Sequence, residues 1–272
     1  MFRAELLKLT TTTAPRVALA VGAGGLILTQ LVFVTVMPML ASGQIGPGAA
    51  ALGDSLPTVD LSSAAAQLAT LSPLGSSSAG SIGIAVITVV LLGVLAGTGD
   101  YRHGGIVGAA LAQPRRARLL LAKAAAAGVA GLVTGLAFAL VSLLILLGTL
   151  AVLDVPVALD PLQIGGVLAR GTGAVAALTV LGLAVGMLAR SQLAGVLVML
   201  AILLLEPIVQ SIAQLISGAL PVWAQLLPLS LANAVIGAGE FALNPAVAAA
   251  ALLALTGGAL ALAALAFNRR DI

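Results

Sequence analysis

Six runs of about twenty apolar residues, each nearly free of charge, decide what this chain can become. A hydrocarbon core about 30 Å thick takes roughly 20 residues of helix, and only helices and closed barrels satisfy their backbone there. The runs extend from about Val17 to Met37, Ser81 to Thr98, Ala124 to Val152, Gly165 to Leu188, Ala194 to Ser217 and Pro245 to Phe267. We read an all-α membrane protein whose 272 residues make a single transmembrane domain of six helices. The third run is longer than a perpendicular crossing requires, so it should tilt or project. Charged residues make up only 8% of the sequence, too few to cover a soluble domain. There are no cysteines, which excludes disulfides and Cys-based metal sites.

An even number of spans puts both termini on one side, and the basic residues say which. Arg3, Lys8 and Arg16 precede the first run, Arg102, Arg115, Arg116, Arg118 and Lys123 fall between the second and third, Arg190 between the fourth and fifth, and Arg269 and Arg270 after the sixth. Eleven of twelve Lys and Arg therefore share a side. Asp54, Asp60, Asp154, Asp160 and Glu240 lie opposite, with Arg170 alone near that edge. The positive-inside rule makes this a multi-pass protein of the cell membrane with cytoplasmic termini. The high isoelectric point comes from short clusters between apolar runs, which suit anionic lipid or a protein partner and not nucleic acid.

The first run is too long for the apolar segment of a cleavable signal peptide. Phe2, Leu6 and Leu9 recur at helical spacing and Pro15 follows, which predicts a short amphipathic helix on the inner leaflet, ending before the first span. On the far side, 38–80 is rich in Pro, Gly and Ser, with a surface helix expected from Leu61 to Leu71. From Leu220 to Asn244 the chain is too broken for a span and too apolar for a solvated loop. Two short re-entrant helices in the outer leaflet fit it, with Trp223 as interfacial anchor.

Candidates for chemistry are few. Neither Lys8 nor Lys123 sits in a GxxxxGK[ST] phosphate loop, so the chain is no ATPase by that route, and no catalytic, cofactor or metal residues are assigned. A single histidine, His103, cannot build a metal cluster. Within the spans the exception is Glu206 followed by Pro207. The carboxylate must face protein or water, and the proline removes a helix hydrogen bond, predicting a bend. Arg170 in the fourth span lies within about 10 Å in depth of Glu206, counted from the turn at Ser191 at 1.5 Å per residue. It either pairs with Glu206 or snorkels to the interface. Small-xxx-small pairs recur at Gly93 and Gly97, Gly131 and Gly135, and Gly182 and Gly186. They read mainly as close intramolecular helix contacts, otherwise as a dimer or gate interface.

Four stretches in order resemble the permease subunit of ABC type-2 exporters of bacterial drugs and antibiotics. MFRAELLKLTTTT is similar to that family's N-terminal elbow helix, and GDYRHGGIVGAALAQPRRARLLLAK to its loop between spans two and three. LLPLSLANAVIGAGE is similar to the segment before the last span, and FNRRDI to the basic tail. The resemblance implies two permease copies, identical or homologous, with two separate ATP-binding subunits that hold ATP and magnesium. The cargo would be a hydrophobic or amphipathic small molecule, drawn from the cytoplasm or inner leaflet. It also implies a coupling helix at Gly105, Ile106, Val107, Gly108, Ala109, Ala110, Leu111 and Ala112, with Arg115, Arg116 and Arg118 anchoring its exit. Orientation alone accounts for the arginines but not for the apolar GGIVGAALA before them. The other readings are an ion-coupled secondary transporter using Glu206, and a non-transporting scaffold or immunity protein.

Overall fold

The computed structural model describes residues 2–41, 43–45, 61–75, 83–102, 116–237 and 243–268. Every regular element among them is helical. In chain order these are α1 (Phe2–Thr11), α2 (Thr13–Gln30) running on through a π-helical segment (Leu31–Val36) into α3 (Met37–Ala41), α4 (Ala64–Thr70), α5 (Ile84–Arg102), α6 (Arg116–Leu153), α7 (Pro161–Ala189), α8 (Gln192–Ser217), α9 (Val222–Gln225), α10 (Pro228–Ile236) and α11 (Pro245–Asn268). Six stretches are long and apolar enough to cross a membrane: Thr13–Leu40, Ile84–Tyr101, Ala117–Leu153, Pro161–Ala189, Gln192–Ser217 and Pro245–Phe267. The expected six spans are therefore present. The predicted coupling segment, Gly105 to Ala112, lies outside the described residues together with His103, Arg115 and Glu240.

α7 is the centre of the bundle and packs against α5, α6, α8, α10 and α11. Its most apolar stretch and that of α5 are each 61% buried, against 22% for the first, fifth and sixth candidate spans, so α5 and α7 form the interior pair. Glycine makes that possible. A Cβ on Gly97 would stand 2.6 Å from the Leu183 carbonyl oxygen and one on Gly186 would stand 2.9 Å from that of Val94, while Gly93 and Gly182 meet Thr179 and Val90 closer still. The two small-xxx-small pairs thus face each other across one helix contact. Gly131 and Gly135 of α6 close onto the backbone of Ala176 and Thr172 on another side of α7. All three pairs serve packing within the chain, where small side chains let backbones touch.

Two local expectations change. The break before the first span falls at Thr12, in extended conformation, and Pro15 lies inside the first turn of α2, where a missing N–H costs nothing because those donors have no partner in the helix. The 61–75 segment is no surface helix. Leu61, Leu71 and Leu74 are buried core residues, and α4 is shorter than expected. It is tied inward by Gln30 of α2, fully buried, whose Nε2 donates to the Thr70 carbonyl at 3.0 Å and to Ser142 Oγ of α6 at 3.2 Å. Gln67 does the same on the other side, donating to the Leu61 and Pro156 carbonyls and accepting from Ala158 N. Loop backbone that enters the bundle needs such partners, and two buried glutamine amides supply them.

Candidate functional site

Two assemblies of charge are built into the described bundle, one at each end. At the end where α1 lies, four side chains from three helices close a ring of alternating sign. Lys8 of α1 reaches Glu5 Oε1 at 3.0 Å and Asp100 Oδ1 of α5 at 2.9 Å. Lys123 of α6 reaches Glu5 Oε2 at 2.8 Å and closes the ring on Asp100. The Lys123 side chain is 2% exposed, Glu5 8% and Asp100 9%, whereas Lys8 is 48% exposed. Burying one such ion alone costs several kcal/mol, so each of the three buried members depends on its neighbours. Burial pushes the Lys8 ammonium down, but the hydrogen bonds to Asp100 and then Glu5, with their Coulomb attraction, hold it above the ordinary lysine value. Within α1, Glu5 is the buried residue, held by the ring, while Phe2 of the apolar stripe is exposed on the outside of the bundle.

The ring sits at the roots of the basic loop. Asp100 stands near the end of α5, before the basic segment of the sequence, and Lys123 lies two turns into α6, after it. Arg116 opens α6 and Arg118 is exposed in its first turn. The sequence did carry a signal for this ring. Asp100 is a lone acid just past the tail of one apolar run, and Lys123 stands at the head of the next.

At the opposite end, Glu206 and Arg170 do not pair. Each holds one end of α10. Glu206, 3% exposed, accepts the Leu229 amide at Oε2 (2.9 Å) and the Ser230 amide at Oε1 (2.6 Å), with Gln210 Nε2 at 3.4 Å. α10 opens with Leu227 at the cap position and Pro228 at the first helical position, so it has no capping side chain of its own. The carboxylate of α8 supplies the cap and faces the positive end of the helix dipole. At the other end Gly237 takes the left-handed conformation, φ 69°, and Arg170 Nε donates to the Ile236 carbonyl at 3.3 Å. A cation thus meets the negative end of the same dipole. Pro207 lies inside α8, which continues through it from Gln192 to Ser217. The missing cap at Leu227–Pro228 was the readable clue, since two orphan amides require an acceptor from elsewhere.

Among the described residues no group of three or more His, Asp or Glu side chains is placed to hold a metal ion. The chemistry on offer is positional: ion pairs and helix caps that fix how short elements sit on long ones. Compared with known proteins, the chain matches no family model and no curated sequence.

Proposed function

We propose that this chain is the permease subunit of an ABC type-2 exporter, moving a hydrophobic or amphipathic compound across the cell membrane while a separate ATP-binding subunit hydrolyses ATP. The observation that carries the reading is the charge ring. It bonds α1 to the residues on either side of the 103–115 loop, the loop that resembles the family's coupling segment. A push on that loop by an ATPase would move Asp100 and Lys123 together, and with them α1, acting as the elbow helix. The push would then pass through α5 to its close-packed neighbour α7. Such rigid-body transmission needs stiff contacts at the loop's roots, which buried ion pairs and glycine-mediated backbone contact provide. At the far end α9 and α10 would be the re-entrant pair of the outer leaflet, with Trp223 exposed toward the interface.

The test is co-purification with a phosphate-loop ATPase and cargo-stimulated ATP hydrolysis in lipid. Gly108→Leu should overpack the docked segment and uncouple hydrolysis from cargo. Neutralising Arg115, Arg116 and Arg118 should instead weaken orientation and membrane anchoring in a salt-sensitive way. Normal stimulation in Gly108→Leu would sink the coupling assignment. Gradient-driven transport without any ATPase would replace it with the ion-coupled reading at Glu206.

A further inference from the structure

Arg170 has a second task that capping α10 does not use up. Its Nε bonds the Ile236 carbonyl, yet among the described residues no carboxylate lies within ion-pair distance of its guanidinium. The side chain is exposed and lines a pocket of about 270 Å³ between α7, α4 and the end of α10. Two glycines make the room. A Cβ on Gly237 would stand 3.3 Å from Arg170 Nη2, and one on Gly166 would stand 4.0 Å from Nη1. The pocket rim carries Gln163, whose Oε1 accepts the Asp160 amide at 3.4 Å and whose amide N–H groups remain donors. Leu162 and Leu68 supply its apolar edge.

Depth matters here. α7 has 29 residues, about 43 Å of helix against a core of about 30 Å, so with the helix centred Arg170 starts about 7 Å inside the boundary. A guanidinium at that level reaches toward the headgroups and seeks an anion there. The geometry points to a lipid-headgroup site: the Arg170 guanidinium, with the Gln163 amide, binds the phosphate ester of a phospholipid whose chains lie along the exposed apolar surface beside it. Guanidinium and phosphate match through parallel N–H to oxygen bonds. An anionic headgroup is favoured over a zwitterionic one because it brings no second cation. This assignment rests on the surroundings of Arg170 alone and is independent of whether the chain exports anything.

The test titrates the full-length chain in neutral detergent with phosphatidylglycerol, phosphatidylcholine and glycerol phosphate, counting bound adducts by native mass spectrometry. The wild type should retain one phosphatidylglycerol in preference to phosphatidylcholine. Arg170→Gln should bind it about tenfold more weakly, the scale of a lost charge-assisted hydrogen bond. Arg3→Gln at the other end should bind as wild type. Because Arg170→Gln also loses the bond to α10, Gly166→Leu is the second variant. Its Cβ meets only ordinary contact, so the helix keeps its place while the added side chain fills the pocket. It should lose the lipid to a similar degree with an unchanged melting temperature. Wild-type retention in Gly166→Leu overturns the site, and glycerol phosphate binding as tightly as the lipid overturns the lipid as its occupant.

Discussion

Replacing Gly97 with alanine puts a methyl group where the α5–α7 contact has none to spare. The new Cβ would lie 2.6 Å from the Leu183 carbonyl oxygen, 3.2 Å from Met187 N and 3.3 Å from Leu183 C. These are backbone atoms of a continuous helix, so no side chain can swing aside. A carbon and a carbonyl oxygen rest at about 3.3 Å or more, so the helices must part by about 0.7 Å locally. A gap of that size forfeits a quarter to a half of the dispersion well for neighbouring atoms. Overpacking of this kind costs about 1–3 kcal/mol, which for a chain of this size lowers the melting temperature by about 2–4 °C per kcal/mol. Gly186→Ala should behave alike, since it presses on the Val94 carbonyl from the other side. Gly173→Ala, on α7 with nothing within 4 Å of the added carbon, is the internal control. It should be neutral or slightly stabilising, because alanine is the better helix former. The assay is thermal unfolding of the three variants in one detergent. Gly97→Ala and Gly186→Ala melting together with Gly173→Ala would refute the close-contact account of the core.

The charge ring predicts that Lys123→Met destabilises by about 3–5 kcal/mol, since it leaves two buried carboxylates facing one half-exposed lysine, and that added salt changes this little. Lys8→Met should cost less, and the stabilisation it removes has a defined pH range. Its folded-state affinity for the proton is raised, so the contribution is complete at neutral pH and disappears as pH climbs past the ordinary value of 10.5, which a pH series of melting curves reads directly. Glu206→Gln keeps one acceptor but sets an N–H₂ against the second amide of α10. It should cost about 1–3 kcal/mol and speed hydrogen exchange at Leu229 and Ser230, with transport retained; wild-type protection in Glu206→Leu would contradict the cap. For the proposed pairing of permeases, cysteines at Gly24 and Ile208, both exposed, should cross-link between copies while one at Leu253 on α11 should not.

The apolar runs were enough to count the helices long enough to cross a membrane, because length and hydropathy act residue by residue and need no partner. The glycine pairs were legible for the same reason: 93 and 97, or 182 and 186, recur one turn apart on a helix face, and only their mates were unknown. Partnership is where linear reading stopped. The three-residue spacing of Glu5 and Lys8 allows those two to pair, but nothing in the sequence says that they also meet Asp100 and Lys123, since those bonds join residues more than ninety positions apart. Arg170 and Glu206 stand out in the sequence as charges inside apolar runs, yet in the fold they do not pair with each other. A nine-residue helix without a cap of its own lay between them and offered each charge the dipole end it required. The sequence determined which residues had to find partners; the packing of α7 against five neighbours decided which partners came within reach, because only the folded bundle sets distances between segments that the chain keeps apart.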